Sequence, residues 1–261
     1  MSACPSNRSG GVPVASGMSD PPWLSIVLPA YDEAERIATS LERVIAHLDA
    51  QPWASELIVV SDGSTDATAH IARETGGPRV RVIETARNRG KGHAVRTGVM
   101  TSRGAHVLFS DVDLSTPLAE IDRFLACHEA GADVVFGSRA LPASDVRVRQ
   151  VWWRESMGRA FNRVARAVAR VDMGDTQCGF KSFRRASARA IFERARIDRY
   201  AFDVEVLWIA RSLGLSVVEV PVAWSNDPHS KVDPLRDSTR MLADLVAIRW
   251  NAVRGAYERR I

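Results

Sequence analysis

Four short apolar runs constrain this chain more than any other feature. Each ends in a polar cluster, and helical spacing follows. Leu24 to Leu28 is closed by Pro29, and Glu56 to Val60 runs into Ser61-Asp62-Gly63-Ser64-Thr65-Asp66. Arg79 to Ile83 leads to Asn88-Arg89-Gly90-Lys91-Gly92, and Val107 to Ser110 ends at Asp111-Val112-Asp113. Runs of this length bounded by turn residues read as strands. After the first, Ile37, Leu41, Val44, Ile45 and Leu48 recur as one helix face, with Asp32 placed as cap and Glu33 and Glu35 in the first turn. Further helices are expected from about Ala67 to Glu74, up to Met100, and from Leu118 to Cys127. Strands alternating with helices require right-handed crossovers, hence an α/β fold: a mostly parallel sheet with helices on both faces. Such sheets bind ligands at the carboxyl ends of their strands. Every polar cluster lies at one of those ends.

The second half is less regular. A strand, Asp133 to Phe136, precedes Gly137-Ser138-Arg139, and a loop leads to a helix from about Trp152 to Val171. Its Met157, Phe161, Val164, Val168 and Val171 form an apolar stripe, with Arg154, Arg159, Arg163, Arg166 and Arg170 on its other faces. Then come Asp175-Thr176-Gln177-Cys178-Gly179-Phe180-Lys181, another helix, Phe202-Asp203-Val204-Glu205, and a strand from Ser216 to Val220. The last helix starts near Pro234 and carries Leu242, Leu245, Val246 and Ile248. The expected organisation is a Ser-, Gly- and Pro-rich disordered leader over 1–22, one catalytic domain over 23–233, and a C-terminal amphipathic helix over 234–261 that packs on or extends it.

Composition narrows the function classes. With 46% hydrophobic and 25% charged residues, the 261-residue chain has the balance of a folded globular protein. A net charge of +4 is too small to imply nucleic acid, and no nucleic-acid partner is expected. No run approaches the ~18 to 20 apolar residues of a membrane span, and residues 1–22 lack the apolar segment of a signal peptide. Cys4, Cys127 and Cys178 read as reduced thiols, and the six histidines show no metal-ligand spacing. Gly90-Lys91-Gly92 lacks the third glycine of a dinucleotide fingerprint, and no P-loop sequence occurs, which argues against dehydrogenases and P-loop NTPases.

Asp111 and Asp113 form a compact oxygen cage suited to a hard divalent cation that keeps some water and takes phosphate oxygens. Aspartates also simply end strands, so the weight of this pair comes from its company. Pro29-Ala30-Tyr31-Asp32-Glu33, Ser61 to Asp66, Arg89-Gly90-Lys91-Gly92 and Asp111-Val112-Asp113, in this order and spacing, resemble the family-2 glycosyltransferases of the GT-A fold. Asp175 to Lys181, Phe202 to Glu205 and Ser230-Lys231 resemble the dolichyl-phosphate β-glucosyltransferase branch, related to dolichyl-phosphate mannose synthases. The likeness covers about residues 24–255. It departs at Val112, where the family often has Ala or Gly, and in the transmembrane helices that many bacterial relatives carry after the catalytic part.

The resemblance implies a Rossmann-like GT-A sheet and an inverting hexosyltransferase. The donor would be a UDP-sugar, foremost UDP-glucose, the acceptor a polyprenyl (dolichyl-type) phosphate, and the product β-linked. It assigns donor binding to Pro29, Ala30, Tyr31, Glu33, Asp62, Gly63, Lys91, Asp111, Val112, Asp113, Arg139 and Lys231. Asp62 would accept the imide proton of uracil, Tyr31 would cover the ring, and Arg139 and Lys231 would contact phosphate. Asp111 and Asp113 would hold Mg²⁺ or Mn²⁺ as a Lewis acid at the diphosphate. Asp113 joins Asp175 and Gln177 in the catalytic set. The latter two would orient the acceptor, with Asp175 as base the alternative. An acceptor phosphate is already an anion and needs positioning more than a base.

Plainer readings stand beside these. Asp62 and Asp66 suit turns and caps, Glu33 the first turn of a helix, and Arg139 and Lys231 a solvated surface. The same chemistry with UDP-HexNAc or GDP-mannose, or on a soluble acceptor such as a phosphorylated metabolite or a glycan, also remains open. The arginine helix, with Trp152 and Trp153 at its start, suits an anionic membrane surface. The expected location is therefore cytoplasmic and peripheral, at the cytoplasmic membrane face or on a separate membrane anchor protein.

Overall fold

The structure, a computed structural model, describes residues 21–148, 162–168, 173–225 and 234–258. The first four strands are β1 (Leu24–Ala30), β2 (Ser55–Asp62), β3 (Val80–Thr85) and β4 (His106–Ser110). They alternate with helices α1 (Ile37–Asp49), α2 (Thr68–Gly76) and α3 (Lys91–Thr101). The second half contributes α4 (Glu120–Glu129), β5 (Val134–Ser138), β6 (Asp145–Val148) and α5 (162–168). Then follow β7 (Phe180–Arg184), α6 (Arg185–Phe192), α7 (Phe202–Ser212), β8 (Val217–Pro221), β9 (Ala223–Ser225) and α8 (Pro234–Val253).

Seven strands form one sheet in the order β3-β2-β1-β4-β7-β5-β8, and β6 and β9 pair separately. All neighbours run parallel except β7, which is antiparallel to both β4 and β5. The expected mostly parallel sheet is therefore present. Burial on both faces explains the continuous apolar runs. Val27, Ile58, Val60 and Phe109 pack towards α3, α6, α7 and α8, whereas Ile26, Leu28, Val59 and Leu108 pack towards α1 and α4.

Several local expectations change. Pro29 lies inside β1, opposite Val60, because the pairing of β1 with β4 ends at Val27 and leaves the strand one-sided there. Asp32 does not cap α1. It sits in the left-handed region at φ 52°, and its carboxylate turns to the β2 loop instead. The segment after Gly179 is strand β7 before it is helix. Lys181 in mid-strand hid it, since a lysine fully buried in a sheet is rare. Strands β6 and β9 were also not foreseen.

Of the expected arginine helix only 162–168 is described; Trp152, Trp153, Met157, Arg159, Phe161 and Arg170 lie outside the described residues. Within α5 the buried face is Ala165 with Val168 against the core, while Val164 is exposed, so the stripe is rotated from its expected position. Cys178 is a buried free thiol. Among the described residues no helix is long and apolar enough to cross a membrane.

Candidate active site

The loops after β1 and β2 are latched to each other by their own polar side chains. Asp32 Oδ1 accepts from the Thr65 amide (2.7 Å) and hydroxyl (3.2 Å), and the Asp32 amide donates to Ser64 Oγ at 3.1 Å. In return the Ala34 amide donates to Asp66 Oδ2 (3.0 Å) and the Glu33 amide to Thr68 Oγ1 (2.7 Å). Asp66 also accepts from the Thr68 amide at the entry to α2, which is turn chemistry. The Glu33 carboxylate pairs with Arg36 at 2.6 Å. Pro29 and Ala30 end β1 opposite Val60 and Ser61, and they present Tyr31, 39% exposed, at the rim. The Asp32 charge, with some burial, pushes the Tyr31 phenol up, and a hydrogen bond with Asn88 works against it.

Asp62, the last residue of β2, is buried and committed. Its Oδ2 accepts the amides of Arg89 (2.8 Å) and Gly90 (2.6 Å), and its Oδ1 meets Thr85 Oγ1 (3.0 Å) and His93 Nδ1 (3.1 Å). A carboxylate has about four lone-pair directions, and these four partners fill them. Asp62 thereby shapes the Arg89-Gly90-Lys91-Gly92 turn. Gly63 is required beneath it, because a Cβ there would overlap the backbone at Arg87 and Asn88. On the far side, Asp198 pairs with Arg89 (2.8 Å) and with Arg96, while a Cβ at Gly90 (φ 118°) would come within 2.6 Å of the Asp198 carbonyl. Glycine at 90 lets segment 195–199 press the turn towards the sheet.

That turn delivers Lys91 to Asp111, with Nζ 2.6 Å from Oδ1. Burial alone would lower the Lys91 pKa, but Asp111, Asp203 and Asp113 together raise it above the usual lysine range. Asp113 accepts the Ser115 amide at 2.9 Å and is also hydrogen-bonded by the Ser115 side chain. Burial and the neighbouring Asp111 charge push its carboxyl up. Val112 points into the core, and its carbonyl accepts Ser40 Oγ at 2.6 Å, which turns the flanking aspartates outward. Gly179 lies against Asp111: its carbonyl accepts the Asp111 amide at 3.1 Å, and a Cβ would overlap the carboxylate. Beneath them is a buried pair, Lys181 to Asp203 at 2.8 Å, with Nζ also donating to the Cys178 carbonyl and lying over Phe136 (4.9 Å) and Phe109 (5.3 Å). Burial raises the Asp203 pKa against the pull of Lys181 and Lys91.

Among the described residues no group of three or more His, Cys, Asp or Glu converges as a metal site. Two carboxylates alone suit a cation that draws most of its ligands from water and substrate, and such a cation would offset the burial and the Asp111 charge that raise Asp113.

The second node is built on Asp175. Arg139 grips it as a fork, Nε to Oδ2 at 2.6 Å and Nη2 to Oδ1 at 3.0 Å, and the amides of Arg139 (3.1 Å) and Gln177 (3.0 Å) donate to the same carboxylate. Burial alone would raise the Asp175 pKa, but Arg139 and these amides hold it at about 2. A carboxylate so acidic is a poor base. The guanidinium also lies over Trp224, 5.2 Å from the ring centre. Burial pushes the neighbouring Cys178 thiol up to about 11, which keeps it protonated.

The structure therefore brings Tyr31, Asp62, Gly63, Lys91, Asp111 and Asp113 to the carboxyl ends of β1, β2 and β4. Arg139, Asp175 and Gln177 gather at the end of β5, joined to Asp111 through Gly179. Lys231 lies outside the described residues. Four supporting residues were not singled out from the sequence. Glu219 accepts the amides of Gly174 and Asp175, both at 2.9 Å, and Asn162 holds Gly174 and Thr176. Glu205 accepts the amides of Arg196 (2.9 Å) and Ile197 (2.8 Å) and the Tyr257 hydroxyl (2.7 Å), fixing the segment behind Gly90. Lys181 was seen only as part of a motif. A glutamate within Val217-Val218-Glu219-Val220 was the available signal; Asn162 carried none.

Comparison with known proteins agrees with this geometry. The model of glycosyl transferase family 2 matches residues 25–192, from β1 through α6. A dolichyl-phosphate beta-glucosyltransferase of Drosophila melanogaster is 36% identical over 249 residues, covering 90% of this chain and 76% of that protein. The protein of the same name from Homo sapiens is 31% identical over 253 residues, covering 90% and 77%. Among solved structures, glucosyl-3-phosphoglycerate synthase from Mycobacterium tuberculosis, in complex with Mn²⁺, uridine-diphosphate and phosphoglyceric acid, has a TM-score of 0.64 at 21% identity, over 87% of this chain and 77% of that one. This last likeness is one of fold, the GT-A arrangement that the family resemblance implies. The chain belongs to glycosyltransferase family 2, and it is a glycosyltransferase.

Proposed function

We propose that this enzyme transfers glucose from UDP-glucose to a dolichyl-type polyprenyl phosphate with inversion, giving a β-linked polyprenyl-phosphate glucose. The observation that carries the reading is the likeness to dolichyl-phosphate beta-glucosyltransferases, which spans 90% of the chain and so includes the Asp175 node as well as the donor loops. Tyr31 is the exposed ring beside the base site. Asp62 serves the uracil end chiefly by holding Arg89 and Gly90, since a direct imide contact competes with four internal donors. Lys91 and Arg139 supply positive charge at the diphosphate and the acceptor phosphate.

Asp111 and Asp113 would hold Mg²⁺ or Mn²⁺, which when bound supplies Lewis-acid stabilisation of the departing UDP. One acceptor phosphate oxygen forms the new bond to the anomeric carbon as the bond to the UDP oxygen breaks on the opposite face. No proton has to be removed from an acceptor that is already ionised. Asp175, held near pKa 2, therefore orients Arg139 and the Gln177 loop in place of acting as base. With a lipid acceptor, the enzyme works at a membrane surface, directly or through an anchor protein.

The test is incubation of the pure protein with a panel of UDP- and GDP-sugars and a short polyprenyl phosphate, with and without chelator, read by mass spectrometry. A hexosyl-phosphate lipid from UDP-glucose, lost in chelator, is expected. Transfer only to a soluble phosphorylated acceptor, or only from another donor, would overturn the assignment.

A further inference from the structure

Helix α8 is apolar on two sides. Met241, Leu245 and Ile248 are buried in the core, yet Leu242, Val246, Trp250 and Val253 are 47, 70, 56 and 76% exposed. Their spacing of four, four and three residues places them in one outward row along the helix. An exposed apolar row of this kind on a charged surface marks an interaction site.

The surrounding charge selects the occupant. Arg249, one turn from Val246 and Val253, and Arg254 flank the row, whereas the acid Asp244 is half-buried on the other side of the helix beside Arg199 and Glu258 follows the helix end. The Arg254 guanidinium lies 4.3 Å from the centre of the Trp250 ring, so the exposed end of the row couples an aromatic to a cation. A second copy of this chain would bring the same apolar row but also the same arginines, charge facing like charge. An anionic surface with an apolar interior answers both features.

We propose that the outward face of α8 seats the enzyme on an anionic lipid surface, with Leu242, Val246, Trp250 and Val253 entering the interfacial layer and Arg249 and Arg254 meeting headgroups. The opposite side of α8, at Asp244, is within electrostatic reach of Arg199, which packs against Gly90 in the turn that carries Lys91, so the helix backs towards the donor loop while its apolar row faces away from it. The proposal rests on the lipid-acceptor reading for its purpose, not for its geometry.

The test compares the full chain with a Val246→Glu/Trp250→Glu variant. Both are mixed with vesicles of phosphatidylcholine alone and with phosphatidylglycerol added, at low and high salt. Wild type is expected to sediment with the anionic vesicles, less at high salt, and the variant to partition at least about tenfold more weakly. UDP binding and melting temperature should not change, because both side chains face outward; Val246→Ser/Trp250→Ser is the milder second variant. Equal vesicle binding by wild type and both variants would overturn the proposal. So would a wild-type dimer that the substitutions dissociate in light scattering, or absence of wild-type binding to anionic vesicles. Turnover of a short, water-soluble polyprenyl phosphate separates the two ideas. Its loss in wild type overturns the acceptor reading and leaves the vesicle result to judge the surface.

Discussion

Asp62 and Asp113 end neighbouring regions of the same sheet and do opposite work. Asp62 has its lone-pair directions filled by Arg89, Gly90, Thr85 and His93. Asp113 has the amide and side chain of Ser115, and burial together with the Asp111 carboxylate, two positions away, makes its ionisation harder. Asp62, with its donors internal, shapes backbone; Asp113, crowded by like charge, is the carboxylate proposed to hold a cation. Identical chemistry at the sequence level is thus divided by hydrogen-bond supply.

The sharpest way to break that contrast is Asp113→Asn. The amide keeps an oxygen for Ser115 but removes the charge. Loss of metal-assisted leaving-group stabilisation is worth several kcal/mol, so turnover should fall about a thousandfold or more. The fold should not suffer, because the native structure already disfavours the ionised carboxylate; a melting temperature lowered by many degrees would contradict the assignment. Gly179→Ala is next. The new Cβ would overlap the Asp111 carboxylate, whose short side chain can swing away at little cost to folding but not while keeping Lys91. A displacement of this size costs on the order of a hundredfold in rate. Unchanged kcat, with the Lys91–Asp111 contact intact in a crystal structure of the variant, would sink the idea.

Asp62→Ala tests the other half of the contrast. The amides of Arg89 and Gly90 lose their acceptor, and water can reach part of the turn, so the stability cost should be about 3 kcal/mol. UDP affinity should drop about tenfold as the turn loosens, with kcat less affected. If calorimetry finds the affinity gone but denaturant melts find the stability unchanged, Asp62 is a direct uracil reader and the contrast fails.

The sequence made the sheet legible for a physical reason: strands buried on both faces must be continuous apolar runs, and α/β geometry puts their polar successors at one edge. Asp111, Asp113, Asp62 and Lys91 could be placed on that ground alone. What stayed hidden depends on partners far along the chain. Asp32 looks like a cap until Thr65 is brought beside it. Lys181 reads as solvent-facing until Asp203, Phe109 and Phe136 surround it, and with it strand β7 was hidden. Glu219 and Asn162 hold the Asp175 loop from elements that carry no motif. The face that α5 buries was misjudged because Val164 and Ala165 differ by one step of rotation, which periodicity resolves poorly.

The smallest effect concerns the opposite end of the sheet, where β4 begins. His106 stacks on His128 at 4.9 Å, and His128 is hydrogen-bonded to the Ala132 carbonyl (2.8 Å) and Ser182 (2.7 Å). Burial lowers both pKa values to about 4; a charge on His128 adds to it for His106, whereas for His128 the Ala132 bond works against it. Each histidine is thus harder to protonate folded than unfolded, so below the unfolded value of ~6.5 the unfolded chain binds more protons. Stability is present above that pH and is lost as pH falls from about 6.5 towards 4. Between pH 6.5 and 5.5 the loss should be about 1 kcal/mol per histidine. Denaturant melts across this range should show it, and a His128→Gln variant should flatten the slope. Asp113, whose carboxyl is pushed up, works with the opposite sign, so the Asp113→Asn variant should keep the acid loss of stability or steepen it. A slope that disappears with Asp113→Asn and survives His128→Gln would move the acid sensitivity from the histidine pair to the site itself.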